Sequence, residues 1–118
     1  MSTGYQIDDQ FATHFITATI VDWIDLFSRK VYRDIIIDSL NYCAREKQLV
    51  IYGYVIMTNH IHIIVRSNNG KLSDTLRDMK KFTAKQILAT IKREPESRRE
   101  WLLDKFAHNA QIRDRNAE

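Results

Sequence analysis

The sequence has little of what secreted, fibrous and membrane proteins depend on. It has one cysteine, Cys43, so no internal disulfide can form, and a lone cysteine in a predicted helix suits the reducing cytoplasm. Three glycines and one proline leave little sequence for linkers or fibrous repeats. The longest nearly apolar run, Leu49 to Met57, is far shorter than the ~20 residues of a membrane helix, and residues 1–10 carry no signal pattern. We therefore expect a cytoplasmic protein without a membrane segment.

Charge is distributed unevenly along a chain whose size and composition suit one globular domain. Its 118 residues are 44% hydrophobic and 28% charged, which is enough to bury a single core. Residues 1–65 carry a net charge of −2 and residues 66–118 a net charge of +5. The basic half favours a polyanionic partner such as nucleic acid. The alternative is a solvated helix face, because Lys and Arg are good helix formers.

The apolar periodicity predicts an α+β fold with the element order β-α-β-β-α-α. Strands are expected at 14–21, 49–57 and 60–66, and helices at 29–48, 71–93 and 97–109. Gly53 indicates a bulge or a close approach within the second strand. This order is most of a ferredoxin-like antiparallel unit, although no fourth strand is evident. We expect a lead-in over 1–13, one domain over 14–110 and a disordered tail over 111–118.

Two histidines separated by one residue, His60 and His62, are the most informative side chains. Because successive residues of a strand point to opposite faces, both imidazoles share one face and Ile61 lies on the other. Two ring nitrogens at this spacing can bind one divalent metal and leave coordination positions open for oxygen ligands and substrate. Two exposed histidines on a sheet surface are the alternative interpretation, since the His-x-His pattern alone is not specific.

The sequence around the histidines resembles the hairpin of a known family. An apolar strand ends in Met57-Thr58-Asn59, and His60-Ile61-His62 opens the next strand. This pattern resembles the single-tyrosine HUH transposases, which include the REP-associated tyrosine transposases. The predicted elements also follow that family's order, so the resemblance covers roughly residues 14–108 and implies an HUH-endonuclease-like fold.

The resemblance implies a metal-dependent transposase that acts on single-stranded or hairpin DNA. In such enzymes, which are homodimers, a helical tyrosine attacks the DNA backbone and forms a 5′-phosphotyrosine, while two histidines and a polar residue hold Mg²⁺ or Mn²⁺. His60 and His62 match the histidine pair. Gln86, whose amide oxygen suits a hard ion, matches the third ligand. Basic residues of the same helix would contact DNA phosphates, namely Arg77, Lys80, Lys81 and Lys85.

The chain departs from the family pattern at the position of the attacking tyrosine. Phe82 stands there, and its ring lacks the hydroxyl that a nucleophile needs. Three explanations stay open: an engineered Tyr→Phe change, a natural degenerate copy that still binds DNA, or a nucleophile elsewhere. Tyr52 and Tyr54, which would share one strand face, are candidates for the third. A metal-bound water could also make the chain a plain nuclease.

Two other functions fit the same features. A non-catalytic module with a β-α-β-β-α order and exposed sheet aromatics would bind single-stranded RNA or DNA. A transposase-derived regulator would bind element ends without cutting them. A metal site at His60 and His62 separates the transposase from the first alternative, and the codon at position 82 separates it from the second.

Overall fold

Six main elements follow one another in the predicted order, and the predicted α+β class is confirmed. The structure, a computed structural model, describes residues 7–116, with side chains described up to His108. The elements are, in chain order, β1 (His14–Thr19), α1 (Lys30–Glu46), β2 (Leu49–Ile56), β3 (His60–Ser67), α2 (Leu72–Arg93) and α3 (Arg99–Asn116). Two short 3-10 turns, at Val21–Trp23 and Leu26–Ser28, join β1 to α1.

The three strands form one antiparallel sheet with β3 in its centre. The order is β1-β3-β2, so His62 lies opposite Thr17 of β1 on one side and opposite Val55 of β2 on the other. The connection from β1 through α1 to β2 skips one place in the sheet, which is the split β-α-β arrangement of ferredoxin-like folds. A residue on β3 therefore has neighbours on both sides, and a site built there is held by the whole sheet.

The sheet has one covered face and one open face. Ile61, Ile63 and Val65 of β3 are at most 2% exposed and belong to one core with the apolar stripes of the helices, for example Leu76 and Ile87 of α2. Full burial of such a side chain contributes about 1.5–3 kcal/mol, so the helices are held firmly on this face. The intervening residues of β3 point to the open face, as predicted from strand alternation.

A β-bulge in β2 separates two tyrosines that the sequence analysis assigned to one strand face. The register with β3 shifts between Ile51 and Gly53, so Tyr52 is the extra residue, which agrees with the bulge expected near Gly53. Tyr52 lies on the open face, where its hydroxyl accepts a hydrogen bond from Arg66 Nε at 3.1 Å. Tyr54 pairs with Ile63 of β3 and therefore lies on the covered side of the sheet. The predicted common face is wrong, because one inserted residue reverses the alternation.

The last helix is longer than predicted. α3 continues to Asn116, whereas the sequence predicted a helix end at Asn109 and a disordered tail over 111–118. The backbone stays helical because no glycine or proline interrupts this stretch, and Ala, Gln and Arg are good helix formers. Residues 117 and 118 of the predicted tail, like residues 1–6 of the predicted lead-in, lie outside the described part of the chain. Within that part, no helix is both long and apolar enough to span a membrane.

A glycine with a positive φ closes the loop between β3 and α2. Gly70 has φ +71°, and a Cβ atom at this position would lie 2.5 Å from Cζ of the Phe11 ring. Both the backbone angle and the packing of Phe11 therefore require glycine here. The loop in turn sets where α2 begins.

Candidate functional site

The two predicted histidines form a pair on the open face of the sheet. His60 and His62 are half-buried on β3, and their Nε2 atoms are 3.1 Å apart. Their ring centroids are 4.7 Å apart and the rings are nearly perpendicular, at 80°. Both Nε2 atoms therefore meet at one point above the sheet, as the spacing on a strand predicts.

Each imidazole is held by an oxygen atom at its other nitrogen. Asn59 Oδ1 lies 2.6 Å from His60 Nδ1, and Thr17 Oγ1 lies 2.9 Å from His62 Nδ1. The Asn59 amide is oriented by its Nδ2, which donates to the Trp23 carbonyl at 3.4 Å. Its oxygen can only accept, so His60 donates from Nδ1 and keeps a lone pair at Nε2. The short Nε2 contact then needs a proton from His62 Nε2, with the Thr17 hydroxyl donating to His62 Nδ1.

This hydrogen-bonding arrangement can exchange its shared proton for a metal ion. If His62 releases the proton from Nε2 and carries one at Nδ1, the Thr17 hydroxyl can rotate and accept from it. Two imidazole nitrogens bound to one ion at about 2.1 Å lie about 3.0–3.4 Å apart when the bonds are about 90–110° apart. The observed 3.1 Å falls in that range. The donor set of the histidine pair therefore fits a divalent ion.

Two exposed aromatic rings flank the histidine pair. Phe15 of β1 is stacked on His62 with ring centroids 5.3 Å apart, and Trp23 meets His60 edge-on at 6.5 Å. Their side chains are 57% and 67% exposed, respectively. Because Phe15 lies beyond His62 and Trp23 lies by the β2–β3 turn next to His60, the two aromatic rings stand at opposite ends of the pair.

The predicted residues of α2 are on the other side of the sheet. Phe82 is 52% exposed and lines a cavity of about 250 Å³ between α1 and α2, together with Tyr42 and Cys43. Gln86 lies one turn further along α2 and is half-buried. Burial raises the pKa of the Cys43 thiol at this cavity. Within one chain, the structure therefore does not bring Phe82 or Gln86 to the histidine pair.

The predicted basic residues lie on α2 as well, and they differ in their partners. Among the ion pairs of the described residues, Arg77 contacts Asp74 at 3.1 Å and Asp78 at 3.5 Å, whereas Lys81 and Lys85 take part in none. Lys81 and Lys85 are exposed and one turn apart, and Lys80 is half-buried. The charges of Lys81 and Lys85 are thus exposed to solvent on α2.

Comparison with known proteins decides the family. The model of a family described as IS200-like transposases matches residues 10–109. The chain belongs to the IS200-like transposase family. No curated protein and no solved structure gave a match. The family consists of DNA-processing enzymes that are generally metal-dependent, and the matched range contains the histidine pair, both flanking aromatic residues and all of α2.

The histidine pair of this family member offers two nitrogen donors to a metal ion. Among the side chains that the structure describes, no group of three or more His, Cys, Asp or Glu residues is arranged to hold a metal ion. An amide, water or substrate oxygen is a suitable further ligand for a divalent ion at such a pair. A metal held by two side chains keeps several positions for substrate, which is typical of catalytic sites.

The tyrosines of this family member lie in different surroundings. Tyr32 is buried and Tyr42 lines the cavity between the helices, while Tyr5 lies outside the described residues. Tyr52 is on the same open face as the histidines, and the hydrogen bond from Arg66 lowers the pKa of its hydroxyl. This hydroxyl lies beside Arg66, four residues along β3 from His62, so the two groups are not neighbours.

Sequence reasoning missed the two contacts that β1 makes with the histidine pair, those of Thr17 and Phe15. Both are on β1 and alternate with buried residues, so their common face could be read from the sequence. The register that sets Thr17 opposite His62 could not, because it depends on how β1 pairs with a strand more than 40 residues away.

Proposed function

We propose that this chain is an HUH-type transposase subunit in which His60 and His62 hold one Mg²⁺ or Mn²⁺ ion against the backbone of single-stranded or hairpin DNA. The observation that carries the proposal is the 3.1 Å separation of the two Nε2 atoms, whose opposite ring nitrogens are both hydrogen-bonded to oxygen. Family membership supports DNA as the partner.

The histidine pair and its hydrogen-bond partners have separate tasks in this proposal. A bound ion would neutralise charge that develops on the scissile phosphate. His60 and His62 would supply the two nitrogen ligands, and because both side chains are only half-buried, a phosphate oxygen could reach the ion from solvent. With a metal bound, the oxygen atoms of Asn59 and Thr17 would accept hydrogen bonds from the Nδ1–H groups of His60 and His62, which would direct both Nε2 lone pairs at one point.

The attacking group is not supplied by Phe82 of the same chain. Its ring has no hydroxyl, and it lies on the helix side of the sheet, at the cavity with Tyr42. In the homodimer that we propose, α2 of a second copy brings position 82 and the third ligand, Gln86, to the histidine pair. A hydroxyl at position 82 would attack phosphorus, form a 5′-phosphotyrosine and release the 3′-oxygen, which takes up a proton.

A mixing experiment tests this arrangement. One chain carries Phe82→Tyr together with His60→Ala and His62→Ala, and the other is the unchanged chain, which keeps both histidines but has no hydroxyl at position 82. Each chain alone should form no covalent adduct with a labelled hairpin oligonucleotide in Mn²⁺. The mixture should give an adduct on the first chain in a denaturing gel, because its new hydroxyl meets the histidines of the other.

The control is the single Phe82→Tyr chain, which should form an adduct by itself through its own dimer. An adduct with this chain but none in the mixture would show that the hydroxyl acts within one chain. An adduct formed by the unchanged chain would identify a different nucleophile, and Tyr52 on the open face would be substituted next.

A second candidate function is DNA binding without cleavage, as in a transposase-derived regulator. It is favoured by one observation: among the described residues, no tyrosine hydroxyl contacts the histidine pair. For such a regulator, the unchanged chain should bind hairpin DNA and leave it intact in Mn²⁺. Strand cleavage by the unchanged chain would exclude it.

A further inference from the structure

Four aromatic rings form a row across the open face of the sheet. From the β2–β3 turn along β3, the order is Trp23, His60, His62 and Phe15, with neighbouring ring centroids 6.5, 4.7 and 5.3 Å apart. The two outer rings are the most exposed of the row, and the two inner rings provide the candidate metal ligands. The outer rings are therefore available to a molecule that is bound at the histidine pair.

Trp23 is exposed in a segment of unusual backbone conformation. Asp22 and Trp23 both have φ of 55°, a conformation that is uncommon for any residue other than glycine and a marked outlier for a bulky side chain. The Asp22 carboxylate lies 3.6 Å from Lys105 Nζ of α3, and the Trp23 carbonyl accepts the hydrogen bond from Asn59. Neighbouring elements thus hold a large apolar ring in solvent next to the histidine pair, where it adds little to the core.

Phe15, at the other end of the row, is exposed because of its position on β1. Its neighbours along β1, His14 and Ile16, point to the opposite side of the sheet, and Ile16 is 2% exposed. One face of the Phe15 ring is stacked on His62 at an interplanar angle of 26°, and more than half of the side chain is open to solvent. Together with Trp23, Phe15 thus exposes apolar ring surface on the same sheet face as the histidine pair, and it is this clustering that is typical of an interaction site.

We propose that Trp23 and Phe15 stack nucleobases on the two sides of the phosphate that the histidine pair holds. The proposal rests on the proposed function and adds to it the residues that keep the DNA single-stranded at the site. Bases can stack on aromatic side chains only when they have left the duplex. A phosphate bound between the two rings would therefore belong to an unpaired nucleotide.

The occupant follows from the chemistry of the row. The histidine pair favours a phosphate-bound metal ion, and an aromatic ring on each side matches the alternation of phosphate and base along one strand. Arg66, two positions beyond Ile64 on the same face, adds a cation at the end of the row nearer Phe15. Stacking does not read base edges, so these contacts should give affinity for single strands of any sequence.

Tryptophan fluorescence tests the contact directly. The sequence has two tryptophans, and Trp101→Phe leaves Trp23 as the only one. In this background a single-stranded oligo-dT should quench the emission on binding, whereas an oligonucleotide of equal length with abasic sites throughout should not. Each of Trp23→Leu and Phe15→Leu, made in the unchanged chain, should weaken oligo-dT binding by about 5- to 150-fold, the loss that one stacked base gives.

Trp101→Leu is the matched control, because Trp101 is 48% exposed on α3 and is not one of the four rings of the row. It should bind oligo-dT like the unchanged chain, and Mn²⁺ affinity should be the same in all three variants, which shows that the histidine pair is intact. Unchanged oligo-dT affinity of both Trp23→Leu and Phe15→Leu would overturn the stacking proposal alone. If the unchanged chain binds no oligo-dT, the proposed function fails, and the stacking proposal fails with it.

Discussion

Thr17→Val removes the hydrogen bond to His62 and should leave the fold of the sheet intact. Thr17 Oγ1 lies 2.9 Å from His62 Nδ1, and when a metal binds at Nε2 this oxygen accepts a hydrogen bond from the Nδ1–H group. Valine keeps the branched shape but has no acceptor. Loss of a partner of this kind lowers metal affinity about 10- to 100-fold, or about 1.4–2.7 kcal/mol. We expect this loss for Mn²⁺ in isothermal titration calorimetry.

Thr19→Val is its matched control. Thr19 is on the same strand and face, opposite His60, and among the described contacts it makes no hydrogen bond to an imidazole. Mn²⁺ affinity should therefore not change. Both variants should unfold within about 1 kcal/mol of the unchanged chain, because valine is a good strand former. An unchanged Mn²⁺ affinity of Thr17→Val would refute the idea that this hydroxyl positions His62.

Three further predictions concern other parts of the molecule. If both lysines contact phosphate, the double variant Lys81→Ala/Lys85→Ala should reduce the magnitude of the slope of log K against log salt for oligo-dT by about 1.4. An unchanged slope in filter binding would exclude these two lysines as DNA contacts. Gly70→Ala should destabilise the fold by 1 kcal/mol or more in urea, because its φ is +71°, whereas Gly53→Ala, with open space around it, should change stability less; equal effects would contradict this. Since burial raises the pKa of the Cys43 thiol, the folded chain should react with a thiol reagent far more slowly than the chain in guanidinium, and equal rates would refute this.

The histidine pair illustrates what could be predicted from the sequence. Strand alternation predicted, without knowledge of the fold, that His60 and His62 share one face of the sheet and that Ile61 and Ile63 lie on the other. The element order followed from apolar periodicity in the same way, because each element is long and strongly patterned. The bulge at Gly53 was expected. That it moves Tyr54 to the opposite sheet face from Tyr52 was not, since the position of the extra residue depends on the pairing with β3.

The relation of α2 to the histidines shows where a motif alone was insufficient. Motif matching grouped Gln86 and Phe82 with His60 and His62, although the apolar stripe of α2 has to pack on the face formed by Ile61 and its buried neighbours. Histidines on the opposite face of a strand cannot be reached by that helix within one chain. The partners of the imidazoles were not predictable either, because the oxygen atom of Thr17 reaches His62 through strand pairing distant in sequence.

A Mn²⁺ titration of histidine variants measures whether His60 and His62 together hold one metal ion. The unchanged chain should bind one ion, and each of His60→Ala and His62→Ala should weaken binding more than tenfold, because each removes one of two nitrogen ligands. His108→Ala is the matched control, since this histidine is exposed on α3 and should leave the affinity unchanged. Mn²⁺ binding that is unaffected by both substitutions would show that the histidine pair does not hold the ion.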